Sequence, residues 1–445
     1  MSRLRFQLLT TAGMAALLLG VAPQPARAET LTAAVQSALT YHPTAAAAVA
    51  DSDALDAESR ERKSDFYPQV SVATTGGREF ADNSTSRGLS TERGTGYSWL
   101  WEGNVTASQL LFDGFETDRR VGAAAARRDS SLYSVMDVRE NLALRTTLAY
   151  LDVMRAKASV EKLQAHEKII NDYVRRIEKM VKGGGADRSM TEQAKDVRAQ
   201  LRSSLSNMQG QLKASTAAYI DLAGHEPSDP MDKPVPQADM IAPDADGASD
   251  YAMIHHPMIR AAVMTEAASG MDAAAEQAAW YPDVRAEASY LKRDLDDVIG
   301  GEVTDAKAVV RMNWNYAVGG AQQARVRKTM HRREESHAKL EEMKRRVTRD
   351  IQVAYSDRDT AQEQVEVQHE RVDINKGLLK AHKAQFEGAK VNLLQLLQTE
   401  NALFNADLAL MNGEYRVLSS EYSILASTGR LQEALQVAPA AADEK

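Results

Sequence analysis

The sequence contains no cysteine, so the exported chain can hold neither a disulfide nor a lipid on an N-terminal Cys, and any membrane attachment has to come from the fold. Beyond the first residues no run of 18 apolar positions occurs, which excludes a transmembrane helix and leaves strands as the only way into a bilayer. A formal net charge of -8 gives no broad basic surface for phosphate backbones, so nucleic acid is not expected as a partner. The nine His do not fall at metal-ligand spacing. His42 and His256 each precede a proline, which favours a structural role over metal binding. No Ser-His-Asp array, glycine-rich phosphate loop or isolated carboxylate pair is present, so no catalytic residue, metal or cofactor is expected and the chain does not read as an enzyme. Proline is missing from Gln69 to Glu226 and again from Asp283 to Ala438, whereas Pro227, Pro230, Pro234, Pro236 and Pro243 crowd one polar stretch.

What is present begins with an export signal. Met1-Ser-Arg-Leu-Arg is followed by an apolar run from Ala12 to Ala22 and by Ala26-Arg27-Ala28. A positive start, a short apolar segment and an Ala-x-Ala site predict a signal peptide over 1–28, cleaved after Ala28; the run is too short to span hydrocarbon.

The rest is duplicated. Tyr41-His42-Pro43 and Phe66-Tyr67-Pro68 are answered by His255-His256-Pro257 and Trp280-Tyr281-Pro282, at an offset of 214. Phe112-Asp113-Gly114 is answered by Ala317-Val318-Gly319, Gly183 by Gly388, and Leu222-Ala223-Gly224 by Ser427-Thr428-Gly429, all at an offset of 205. The difference between the offsets, nine residues, falls between the Tyr-Pro and the Gly of each copy; loops accept such insertions and helices do not. The predicted organisation is therefore repeat 1 over 29–224, a Pro-rich linker over 225–250, repeat 2 over 251–431 and a tail over 432–445.

Within a repeat the hydrophobic period changes twice. Residues 31–64 are alanine-rich and helical, ending before Tyr67-Pro68. Val70–Thr74 and Asn104–Phe112 have β character, with a loop expected from Gly76 to Gly96, so each repeat carries a β-hairpin. From Phe115 to Val181 apolar residues recur at 3, 4 or 7, which predicts a heptad seam along one long helix; Gly183-Gly184-Gly185 breaks it and a second helix returns from about Ser189 to Leu222. The outgoing helix would be about 100 Å long at ~1.5 Å per residue, and the two shorter helices stacked end to end would match it. The fold class is mainly α, with long helical hairpins and four strands per chain.

Four strands cannot close a transmembrane barrel, whose smallest examples have about eight, and open edges cannot face lipid. Copies of the chain must therefore share one wall. Trp99, Trp101, Trp280, Tyr290, Trp314 and Tyr316 lie in or beside the hairpins and suit the aromatic girdles of a membrane interface. The alternation in Val284-Arg-Ala-Glu-Ala-Ser-Tyr290 fits one face to lipid and the other to water. Two rival readings stay open: a soluble sheet that packs its aromatics in a core, and a periplasmic coiled-coil adaptor or tether without a pore, which would need only one helical hairpin.

The export signal, the tandem His-Pro and Tyr-Pro copies, Leu110-Leu111-Phe112-Asp113-Gly114 after a strand, and Glu400-Asn-Ala-Leu-Phe404 ahead of Ser427-Thr-Gly-Arg-Leu431 together resemble the TolC family of outer-membrane efflux and secretion ducts, over about residues 30–431. The resemblance implies a homotrimer whose strands form one β-barrel in outer-membrane lipid and whose helices form a periplasmic α-barrel. It further implies a periplasmic adaptor (membrane fusion protein) and an inner-membrane ABC or proton-driven transporter as partners. The missing lipidation Cys and the Gly-Arg-Leu ending look more like the type I secretion branch than the drug-efflux branch. In the family the constriction lies at the periplasmic turns, here Lys182–Ser189 and Glu387–Leu394. Positions that carry an Asp ring in some members hold Gln395 and Gln398 here. Lys390, Asn392, Asp187 and Arg188 would make the remaining entrance contacts, and Gly183, Gly184, Gly185 and Gly388 would form the tips that meet the adaptor. Gly183 and Gly388 are expected to take positive φ.

Overall fold

A computed structural model describes residues 28–81, 96–185, 187–295, 302–315, 318–387 and 391–437. The signal segment before Ala28, Tyr316, Gly388 and Lys390 lie outside them.

The first predicted helix is two. The α1 helix (Leu31–Tyr41) and the α2 helix (Pro43–Lys63) meet at His42, which is extended and whose Nδ1 accepts from Thr44 N at 3.2 Å. Proline has no N–H to lose at the first position of a helix, so His-Pro stops one helix and starts the next; the alanine pattern runs through this break without recording it. Strands β1 (Gln69–Ala81) and β2 (Gly96–Phe112) follow. β1 continues through Gly76-Gly77-Arg78-Glu79-Phe80, the start of the expected loop, because Trp99 to Trp101 on β2 supply it with a paired partner. The Asp113-Gly114 turn then launches the α3 helix (Glu116–Lys182), whose 67 residues carry the heptad pattern. Asp113 Oδ2 accepts from Thr117 N at 2.8 Å, and Gly114 has φ +69 with no room for a Cβ beside Ala278 O. The α4 helix (Arg188–Ala223) returns.

The second copy repeats this. The α5 helix (Ala245–His255), α6 helix (Pro257–Ala278), β3 (Asp283–Leu295), β4 (Val303–Asn313), α7 helix (Ala321–Glu387) and α8 helix (Leu393–Ser427) follow in order, and α7 again has 67 residues. α5 begins inside the segment expected to be linker. A short α9 helix (Leu431–Ala434) closes the described chain, and Leu435 and Val437 are buried, so the expected tail starts as part of the core.

Helix α3 is the spine. Toward the strands it packs between α2 and α6, and toward the far end between α4 and α8; α7 lies beyond α6 and α8. Each short pair therefore forms one interrupted stave, α4 with α2 and α8 with α6. The first interruption packs on Leu142 to Val153 of α3 in an apolar cluster that includes Leu39 and Leu222 and also Leu425 and Leu431 from the second, whose Ala252 and Ile259 join Val347 to Tyr355 of α7 in another. Glu140 of α3, itself buried, accepts from Leu431 N and Gln432 N and so caps α9.

His256, the counterpart of His42, is 7% exposed and caps α6 through Met258 N. Burial pushes its pKa down to about 4, against a smaller upward pull from Asp350. An unfolded imidazole binds its proton near 6.5, so between about pH 6.5 and 4 the unfolded chain holds more protons and stability falls as pH drops, by of order 3 kcal/mol once both states are protonated. Replacing His256 with Asn keeps a capping acceptor and removes the titration. The thermal midpoint of His256→Asn is expected to fall less than that of the parent protein across this range.

Candidate functional site

The sheet has the order β1-β2-β3-β4, all antiparallel, and its alternation separates two faces. One carries Val70, Val72, Trp101, Val105, Ala107, Ala286, Ala288, Tyr290, Val310 and Met312; the cross-strand row Val70–Ala107–Ala288–Ala308 fixes their common side. The other carries Glu79, Glu102, Thr106, Arg285, Glu287, Arg293 and Arg311, where Arg311 Nε lies 2.9 Å from Glu287 and Arg293 bridges Glu79 and Glu102. Among the described residues no helix covers either face, and β4 is exposed along its whole length. Among the described residues of the protomer, the sheet's aromatics therefore have no helix-covered core to pack in.

The aromatics gather at the two ends of the apolar face. Trp99 and Trp101 stand exposed at one end, with the Arg78 guanidinium 5.3 Å from the Trp99 ring. At the other, Trp314 Nε1 donates to Trp280 O at 3.3 Å and Phe112 meets Tyr281 edge-on at 6.4 Å. Tyr290 lies between them on β3. Val284 to Lys292 on β3 covers about 27 Å at ~3.4 Å per residue, close to the ~25 Å apolar band of outer-membrane barrels. Among the described residues no helix is long and apolar enough to cross a membrane, so the strands are the only membrane-spanning candidates.

At the opposite end of α3 the tip is built by backbone. Gly183, Gly184 and Gly185 donate to Lys179 O, Val181 O and Met180 O. It is Gly184 that takes positive φ, +73, whereas Gly183 stays at -82; the turn reverses one residue later than expected. Asp187 caps α4, its carboxylate 2.6 Å from Ser189 N, and these hydrogen bonds hold its pKa below the usual carboxylate value. The repeat-equivalent Asn392 caps α8 through Gln395 N at 2.8 Å. Within the protomer Asp187 is thus occupied by its own helix, and Arg188 is exposed with no ion pair among the described residues. Leu393, Leu396 and Leu397 are buried in a cluster with residues of α3, α4 and α7, Leu394 is buried as well, and Gln395 and Gln398 stand exposed one turn apart.

Above the tip sits a polar layer that sequence reading misses, because its members are far apart in the chain. His166 on α3 stacks on Phe404 of α8 at 3.9 Å and faces Asn401 Oδ1 at 3.3 Å. Beside it Glu400 lies 3.6 Å from Lys383 of α7. A second missed feature is Glu29, the residue next to the expected cleavage site: its carboxylate accepts from Tyr219 and from Ser228 N. No group of three or more acidic or His side chains among the described residues could hold a metal ion.

Comparison with known proteins agrees with this geometry. The family described as outer membrane efflux protein matches residues 34–225 and 249–430, one match per repeat. The outer membrane efflux protein BepC of Brucella suis biovar 1 (strain 1330) is 24% identical over 423 residues, covering 93% of this chain and 89% of BepC. The CmeC outer membrane channel of Campylobacter jejuni superposes with a TM-score of 0.79 at 14% identity, covering 90% and 86% of the two chains. The outer membrane protein VceC of Vibrio cholerae superposes at 0.77 and 18%, covering 90% and 96%. Two family matches spanning both repeats, on a fold shared with outer-membrane channels, make this chain a member of the outer membrane efflux protein family.

Proposed function

We propose that three copies of the chain close one barrel through β1 and β4, forming a duct that carries cargo across the outer membrane from a periplasmic adaptor and an inner-membrane transporter. The observation that carries this reading is the sheet, with two edges unpaired and two faces uncovered among the described residues and one apolar band, which in lipid can be satisfied only by a closed ring. Detergent-extracted protein is expected to run as a heat-modifiable trimer and to conduct ions in planar bilayers; a monomer soluble without detergent would defeat it.

The efflux named in the BepC description favours small molecules as cargo over the protein secretion suggested by the missing Cys and the Gly-Arg-Leu ending. Deleting the gene separates the two: raised sensitivity to toxic compounds supports efflux, and loss of an exported protein with unchanged sensitivity supports secretion. At the entrance Gln395 and Gln398 would line the narrowest ring, with Asn392, Asp187, Arg188 and Lys390 around it and Gly183, Gly184, Gly185 and Gly388 at the tips toward the adaptor. A neutral ring binds multivalent cations weakly, so Gln398→Asp is expected to make conductance more sensitive to their block. Unchanged block would remove this residue from the constriction.

A further inference from the structure

The protomer has two unfinished flanks. Helix α7 packs on α6 and α8, α2 and α4 pack on α3, and among the described residues no comparable packing joins α7 to α2 or α4. Because the chain is a duplication, its internal seam, where α3 of repeat 1 meets α6 and α8 of repeat 2, is a template for the seam that would join repeat 2 of one copy to repeat 1 of the next. Residues of α3 map onto α7 at the 205 offset, those of α6 onto α2 at 214, and those of α8 onto α4 at 205.

Two polar contacts of the internal seam carry over with complementary charge. In the upper half Arg127 of α3 pairs with Asp272 of α6; the mapped residues are Arg332 and Glu58. In the lower half His166 faces Asn401; the mapped residues are Arg371 and Asp196, a neutral contact replaced by opposite charges. All four mapped residues lack an ion pair among the described residues, and Arg332, Arg371 and Asp196 are exposed. The apolar surface agrees. Val367, Ile374 and Leu378 are 53%, 60% and 43% exposed on α7, and they map from Lys162, Ile169 and Tyr173, of which Lys162 and Tyr173 reach Asp407 and Glu400 of α8 in the internal seam.

We infer that a second copy of this chain covers the α7 flank in the register of the internal seam, with Arg332 paired to Glu58 of the next protomer and Arg371 to its Asp196. This assignment rests on the ring-closure reading above and adds to it the residues that meet.

The lack of cysteine makes the test direct, since introduced residues are the only thiols. A protein carrying Arg332→Cys and Glu58→Cys, treated as a detergent-extracted trimer with a short bismaleimide, is expected to survive boiling as a covalent trimer. Arg127→Cys with Asp272→Cys, the same geometry inside one chain, should lose both thiols yet boil to a monomer. If an unboiled trimer forms and the internal pair reacts while the Arg332 and Glu58 pair yields no linked chains, the register is overturned and the duct reading survives; if no unboiled trimer forms, the duct reading itself fails. Charge reversal gives an independent readout. Arg332→Glu should lower the temperature at which the trimer falls apart in SDS, and adding Glu58→Arg should restore it. A double variant no more resistant than the single one counts against the pair.

Discussion

Arginine at Ala107 is expected to abolish assembly into the outer membrane, whereas arginine at its neighbour Thr106 is expected to leave assembly intact. Ala107 sits between Val70 and Ala288 on the apolar face, midway between Trp101 and Phe112 along β2; Thr106 lies between Ser71 and Ser289 on the opposite face. A cationic side chain aimed at the bilayer midplane costs roughly 2–4 kcal/mol, and three copies in the proposed ring would multiply that to roughly 6–12 kcal/mol, comparable to the stability of a whole domain. On the opposite face, which lines the lumen of the proposed barrel, the same charge would meet water and the existing ion pairs of Arg293 and Arg311. The measurement is the amount of heat-modifiable trimer in outer-membrane fractions. Equal trimer from both variants would mean that the two faces have been assigned to the wrong solvents.

The second large effect is expected at the interrupted staves. Gly429 has φ +75, and an added Cβ would stand 2.8 Å from Pro257 Cδ and 3.6 Å from His256 Cα. Left-handed backbone costs an L residue roughly 1–2 kcal/mol and overpacking against a fixed ring roughly 1–3 kcal/mol more, so Gly429→Ala should destabilise each chain by about 2–5 kcal/mol. Gly184→Ala at the tip is the control. Its φ is +73 but nothing lies within 4 Å, and only the conformational cost of roughly 1–2 kcal/mol remains. Thermal unfolding of the two variants should separate them clearly; equal losses would show that the proline contact contributes nothing.

The parts of this fold that could be read from the sequence are those held by local or periodic signals. The heptad spacing located both ends of α3 within about a turn, and the offsets carried that reading to α7 without an alignment of other proteins. Asp187 and Asn392 are singled out in the sequence only as entrance residues; their capping of α4 and α8 is not read there, although both are capping residue types. The break at His42-Pro43 was hidden because alanine suits either side of it, and the continuation of β1 through two glycines was hidden because its stability comes from Trp99 to Trp101 across the strand. At the tip, a run of three glycines offers three places to reverse, and only the hydrogen bonds to Met180 and Val181 select Gly184. The His166–Asn401 contact and the Glu140 cap on α9 join residues more than 200 positions apart, and no periodicity records such a pairing.

The interruptions in the staves have a mechanical consequence. Each lies where a helix ends at Gly224 or Gly429 and another starts at Pro43 or Pro257; the first rests on α3, and the second lies between α3 and Val347 to Tyr355 of α7. Above and below that level the staves are continuous, but at that level, among the described residues, only α3 and α7 pass through. A twist applied at the periplasmic turns therefore travels toward the strands along two rails per chain, and the jointed members can slip beside them. Torsion would be relieved at the joint, so that in the proposed ring the far end would wind or unwind while the strands keep their registry.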